Sequence, residues 1–335
     1  MKHYFRKNWE SLFGGNVPDS FDILPLTTSR NTFGNDLILL FSDGAKSPDY
    51  VFKICRDARC NVKLKREYHA LSVLSKDDYL KQYIPAIVCC GDMGGRTFVI
   101  QKGIRGIPLA RTIQKKGITK SVNRAIEKSI LLLGRINSIR SVNALQYSGI
   151  TEEKLENHEF FFSRGGLTRG DIQELFKIAK EYSRQNEHHQ MMVHGDYWPH
   201  NIFVDQTGED IAGIIDWEFA CMSPICSDIC WFIVNIAFAT RQHSQANCSL
   251  AEAFHYLISN ESKETKTIVN YYHQYISNLN TRYYIIDLLK VTLAKFSIRE
   301  QIVYGQHGSV DTECMSMLKY LYQHEADVAR FFSLV

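Results

Sequence analysis

A chain of 335 residues, 45% apolar and 22% charged, has the ordinary make-up of a soluble globular protein and is long enough for one large or two moderate domains with sizeable cores. Its 39 basic and 36 acidic residues give a formal charge of +3, too even a balance to indicate a nucleic-acid partner. The longest apolar run, residues 229–239 between Asp228 and Arg241, is too short to span a bilayer, residues 1–15 lack the apolar stretch of a signal peptide, and an odd nine cysteines fit a reducing cytoplasm.

The first hundred residues read as mainly β with one helix. Residues 37–41 and 50–55 are strand-like, separated by a turn holding Asp43-Gly44. Ahead of them, residues 27–35 form a small polar loop whose one glycine is Gly34. In Y-V-F-K-I-C, Lys53 stands in the middle of an otherwise apolar strand, and burying it unpaired would cost several kcal/mol. It must therefore reach an anion, or snorkel to water from an edge strand. Glu67 lies beside a helical stripe of Leu64, Tyr68, Leu71 and Leu74. It either points at the sheet or joins the solvated face on which Lys63, Lys65 and Arg66 are expected. Residues 84–90 and 97–101, joined by a Gly-rich turn, predict a hairpin.

From there the pattern turns helical. Val122, Ile126, Ile130, Leu133 and Asn137 share one face, with Leu131 and Leu132 expected to widen it, and Ile172, Leu175, Phe176, Ala179 and Tyr182 mark a second helix. The glycines of residues 163–170 lack a strand-then-helix context and read as a linker. Glu187, His188, His189 and His194 match no standard metal spacing, and Cys221, Cys226 and Cys230 contain no C-x-x-C.

The densest signal is V-H-G-D-Y-W-P-H-N-I-F-V-D-Q-T-G-E-D-I-A-G-I-I-D-W-E-F-A, residues 193–220. Residues 202–205 and 211–215 predict two strands joined by a polar turn containing Gly208. In such a hairpin Asn201 and Asp216 meet at the open end, and Asp196 is delivered to the same end. An amide oxygen and a carboxylate suit a hard cation such as Mg²⁺, and a carboxylate beside it could take a proton from a hydroxyl. Further on, Ile268, Tyr272, Tyr275, Ile276 and Leu279 share a helical face, as do Ile285, Leu288, Leu289, Leu293 and Phe296. Tyr271, Tyr272, Tyr275, Tyr283 and Tyr284 read as packing residues or as a cage for a cation.

The spacing H-x-D-x-x-x-x-N from His194 to Asn201, followed by Asp216 on a strand, resembles the catalytic loop and metal-binding Asp of the protein-kinase-like superfamily. H-G-D, Pro199 before His200-Asn201, and I-I-D-W make it more similar to the aminoglycoside phosphotransferase and choline kinase group than to protein kinases. The resemblance implies an α+β, two-lobe fold, with residues 1–102 as a small β-rich nucleotide-binding lobe and 103–335 as a helical lobe for catalysis and acceptor binding. It implies ATP and Mg²⁺. Lys53, paired with Glu67, would hold the α- and β-phosphates, the loop around Gly34 would cover them, and a hinge near Ile100 to Lys102 would hold adenine through its backbone. Asn201 and Asp216 would hold the metal and Asp196 would take the proton of the acceptor hydroxyl, with Asp228 bracing the loop. The acceptor would be a small hydroxylated molecule: a sugar, an amino alcohol or an aminoglycoside-like compound. Acidic and basic residues are nearly balanced beyond Trp217, unlike the crowded carboxylates expected for a polycationic antibiotic. A non-catalytic nucleotide-binding module on the same scaffold is the alternative class. The lack of an A-P-E-like segment after Asp216 weighs against a protein kinase.

Overall fold

A computed structural model describes residues 2–27, 34–42, 44–140, 152–185, 190–223, 227–259, 263–279, 285–299 and 311–333. The part of the polar loop before Gly34 (28–33), Glu187, His188, His189, Pro224, Cys226, Tyr283 and Tyr284 lie outside the described residues.

Five antiparallel strands, β1 (Phe21–Thr27), β2 (Asn35–Ser42), β3 (Tyr50–Cys55), β4 (Ile87–Met93) and β5 (Arg96–Lys102), lie in the order β1-β2-β3-β5-β4. Side chains alternate across a strand, so Phe52 and Ile54 face one side of the sheet and Lys53 and Cys55 the other. The outer face buries Ile38, Leu40, Phe52, Ile54, Phe98 and Ile100 against Phe5 of α1 (Lys2–Lys7) and Trp9, Leu12 and Phe13 of α2 (Trp9–Phe13). These two helices and β1 are absent from the sequence-based expectation. Helices of six and five residues are too short to display a 3.6-residue period, and aromatic packing holds them, with the Trp9 ring 4.3 Å from Phe13 and 4.9 Å from Phe21. Pro25 is tolerated in β1 because that strand lies at the sheet edge. On the inner face, α3 (Asn61–Leu74) sets Leu64 against Cys55 and Val99 and sends Ala70, Leu71 and Leu74 into the larger core below.

That core is mainly helical. The chain leaves the sheet through β6 (Ile107–Pro108), α4 (Leu109–Lys116), α5 (Lys120–Asn137), α6 (Glu152–Glu156), α7 (Glu159–Arg164) and α8 (Arg169–Gln185). It then forms β7 (Met191–Val193), β8 (Ile202–Val204), β9 (Ile211–Ile214) and β10 (Cys221–Ser223). It ends in α9 (Ser227–Ser244), α10 (Leu250–Ser259), α11 (Lys263–Leu279), α12 (Ile285–Ser297), α13 (Thr312–Gln323) and α14 (Glu325–Ser333). Helix α9 is apolar nearly all round and therefore sits in the middle of the core. In α5 the predicted face is buried and Leu132 extends it, but Leu131 is 65% exposed because each residue turns the helix by about 100°. Tyr271, Tyr272 and Tyr275 pack in the core; the Tyr271 hydroxyl donates to Asn123 O (3.2 Å) and that of Tyr275 to Asn137 Oδ1. Lys290, fully buried in α12, is neutralised by Glu174 (2.6 Å) and Glu325 (3.0 Å). Among the described residues no helix is long and apolar enough to cross a membrane.

Candidate active site

Strand β7 pairs with β10, Val193 opposite Cys221, and this sets the loop starting at His194 against the segment that follows Asp216. Gly195 has φ of +80°, and a Cβ there would lie 2.3 Å from Phe219 O, so both backbone and space demand glycine. Buried Asp228, in the first turn of α9, accepts from His194 N (2.7 Å) and Gly195 N (3.0 Å). One carboxylate thus satisfies two buried amides and fixes the loop. His194 spans it: Nδ1 accepts from Asp196 N (3.2 Å), so the proton sits on Nε2, which donates to Ile215 O (3.0 Å).

The hairpin β8–β9 closes as its pattern predicts, Ile202 opposite Ile214, and Ile215 N donates to Asn201 O (2.9 Å). Asn201 and Asp216 accordingly flank the open end. Asn201 Nδ2 donates to Asp196 O (3.0 Å), which turns the amide oxygen Oδ1 away from that bond. Asp216 adopts a left-handed conformation (φ 70°, ψ 57°), the one positive φ outside glycine among the described residues, and this aims its carboxylate back toward the sheet.

There it meets Lys53. The ammonium lies 2.8 Å and 3.1 Å from the two oxygens of Glu67 and 3.1 Å from Asp216 Oδ1. Lys53 is thus a buried cation with two anionic partners, one from α3 and one from the helical lobe. Burial alone would lower its pKa, but Glu67, then Asp216 and Glu218, raise it above the ordinary lysine value. Burial pushes Asp216 up, yet adjacent Lys53 outweighs it and holds the carboxyl below the usual aspartate range. Glu67 also accepts from Gln101 Nε2 (3.0 Å).

A second charge pair, unmarked in the sequence-based expectation, ties the same elements together. Lys63, expected on a solvated face, is buried with its amine 2.9 Å from Glu218 Oε1 and 4.5 Å from the Phe219 ring centroid. Asn35 Nδ2 donates to Glu218 Oε2 (2.6 Å). Burial, then the nearby Asp216 charge, raises the Glu218 pKa. Lys65, two residues on, lies on the exposed side of α3.

Asp196 is itself engaged. Trp231 Nε1 donates to its Oδ1 (3.1 Å), and Arg299 Nη1 stands 3.0 Å from the same oxygen. No spacing pattern links Arg299 or Trp231 to the loop; α9 and the end of α12 bring them there. Gly34 precedes β2, its carbonyl accepting from Arg56 N (3.2 Å). Ile100 is still in the ladder, opposite Phe52, and Lys102 N donates to Ala86 O (2.8 Å) while its amine lies 4.0 Å over Tyr50. The residues expected at the hinge, Ile100 to Lys102, are thus the last of β5, and the chain leaves the strand at Gly103, where a Cβ would strike Pro48 O.

The oxygen set suits a hard cation. Among the described residues no group of three or more His, Cys, Asp or Glu forms a metal cage. Asn201 Oδ1 and the second Asp216 oxygen, at the open end of the hairpin, would fit an ion whose other ligands are water and phosphate.

Compared by sequence with curated proteins, the chain matches none. Among solved structures, the GDP and kanamycin complex of APH(2")-IIia superposes with a TM-score of 0.55 at 16% identity, covering 98% of this chain and 99% of that one. The complex of an aminoglycoside phosphotransferase from Streptomyces rimosus with ADP and streptomycin gives 0.55 at 14%, covering 88% and 96%. Plasmodium vivax ethanolamine kinase gives 0.54 at 13%, covering 98% and 88%. At these identities the likeness concerns the fold, a kinase-like sheet lobe on a helical lobe. The model of the phosphotransferase enzyme family, APH, matches residues 34–259, and the chain therefore belongs to that family.

Proposed function

We propose that this chain is an ATP-dependent small-molecule kinase that transfers the γ-phosphoryl group of Mg-ATP to a hydroxyl of a small acceptor. The observation that carries the reading is Lys53, buried between Glu67 and Asp216 at 2.8 and 3.1 Å, beside the loop that bears Asp196 and Asn201. Nucleotide binding lies between a lobe of residues 1–102 and a lobe of residues 103–335. Lys53, held by Glu67, neutralises the non-transferred phosphates, the loop at Gly34 covers them, and the base rests against the exit of β5 near Ile100 to Lys102. Asn201 and Asp216 hold Mg²⁺, which supplies charge neutralisation on the phosphates when bound. Asp196 orients the acceptor hydroxyl and takes its proton. Because the transition state of phosphoryl transfer is loose, positioning and charge neutralisation supply most of the acceleration. The acceptor class is a sugar, amino alcohol or aminoglycoside-like compound. The near-even charge and the odd number of cysteines support a cytoplasmic protein without a nucleic-acid partner.

ADP release against a panel of hydroxylated metabolites tests the reading. Turnover with any member supports it. Tight Mg-ATP binding with no turnover across the panel would instead favour a non-catalytic nucleotide-binding module, and phosphorylated protein in place of metabolite would indicate a protein kinase.

A further inference from the structure

The last inward-facing side chain of β5 is polar. Val99 lies opposite Lys53 and Gln101 opposite Val51, so these side chains share the inner face of the sheet. Gln101 is 3% exposed, and its Nε2 donates to Glu67 Oε1 (3.0 Å), the same oxygen that accepts from Lys53 Nζ (2.8 Å). The strand ends one residue later, at Lys102. Gln101 thus stands between the ammonium proposed to hold the phosphates and the strand exit proposed to hold the base.

Glu67 sets the direction of the amide. A carboxylate only accepts, so the nitrogen end of the Gln101 side chain must face it and the oxygen end must point away. Turning the amide over would set oxygen against oxygen at a fully buried carboxylate. Among the described residues Oε1 accepts no hydrogen bond, and it is not one of the orphaned atoms sealed from solvent. A side chain that is otherwise buried therefore holds one acceptor open. A ligand that brings a donor to it gains a hydrogen bond, and one that brings a second acceptor meets repulsion.

Purines differ in this respect. Adenine carries an exocyclic amine where guanine and hypoxanthine carry a carbonyl. Resting on the kinase reading above, we infer that Gln101 selects the nucleobase: its Oε1 accepts from the exocyclic amine of adenine and rejects the oxopurines. Glu67, which holds Lys53, also holds this selector in its one orientation, so phosphate grip and base choice share a carboxylate.

Calorimetry on the full chain with Mg²⁺ compares three ligands. They are ADP, purine riboside diphosphate, which lacks the amine and keeps the rest of the ring, and IDP, which has the carbonyl instead. ADP should bind about tenfold or more tighter than either. Gln101→Leu keeps the bulk and removes the acceptor, so ADP should fall to within about threefold of purine riboside diphosphate. Glu67→Gln keeps Gln101 but offers its amide a partner that it can meet either way round. All affinities should then fall with the weaker hold on Lys53, while the gap between ADP and IDP closes by about threefold or more. This second variant leaves β5 untouched and decides the question even where Gln101→Leu fails to fold. An amine preference that is missing in the wild type, or that survives Gln101→Leu unchanged, overturns the inference. So does an IDP gap that Glu67→Gln leaves as it was. Equal, tight binding of all the nucleotides would sink the base selector and leave phosphoryl transfer standing, whereas binding of none would remove the kinase reading itself.

Discussion

Replacing Lys53 by Met tests the charge arrangement on which the site rests. The ammonium lies 2.8 Å from Glu67, whose side chain is fully buried, and 3.1 Å from Asp216, whose side chain is about a third exposed. At an effective dielectric near 20, the Glu67 contact alone is worth about 6 kcal/mol of Coulomb energy. Removing the lysine also removes its own desolvation cost, and Asp216 is partly rescued by water, so the net loss should be about 3–5 kcal/mol. Glu67 would be left with Gln101 Nε2 as its hydrogen-bond donor. Adding Glu67→Gln discharges that orphaned carboxylate and keeps an acceptor for Gln101, so Lys53→Met/Glu67→Gln should recover about 2 kcal/mol over Lys53→Met. Urea unfolding of the wild type, both single variants and the double variant at pH 7 measures all four. The reasoning fails if Lys53→Met unfolds within about 1 kcal/mol of the wild type, or if the double variant is less stable than Lys53→Met.

Asp196→Ala should lower turnover roughly 100-fold or more, the scale of a missing general base, with Mg-ATP affinity retained by calorimetry; unchanged turnover removes Asp196 from the chemistry. Gly195→Ala places a methyl 2.3 Å from Phe219 O at a positive φ and should cost more than about 2 kcal/mol in urea unfolding, with loss of activity beyond the loss of folded protein. Asp216→Asn keeps a residue that tolerates the left-handed backbone while removing a carboxyl that Lys53 holds below its ordinary pKa against the opposing effect of burial. A depressed folded pKa contributes stability above the unfolded value, about 3.9, and loses it as pH falls through the folded value. The wild-type advantage over Asp216→Asn should therefore be full at pH 6 and shrink below about pH 4, as read by unfolding across that range.

Local patterns determined a good deal. The β8–β9 hairpin, the strand around Lys53, the buried faces of α5, α9 and α12, and the spacing from His194 to Asn201 are all written in adjacent residues, because side-chain periodicity and turn chemistry act over a few positions. Charge partners are another matter. Lys63 and Lys65 are two residues apart on one helix and indistinguishable in sequence, yet one is buried on Glu218 and the other is in water. Helices α1 and α2 exist because an aromatic-rich sheet face needs cover, a demand invisible from their own short segments. The Lys102 amide pairs with Ala86 O, a partner that the residues of β5 do not announce. Arg299, more than a hundred residues from Asp196, reaches it only when α9 and α12 pack. Periodicity is local and survives in the sequence; electrostatic pairing depends on inverse distance, and distance between remote residues is set only when the whole chain folds.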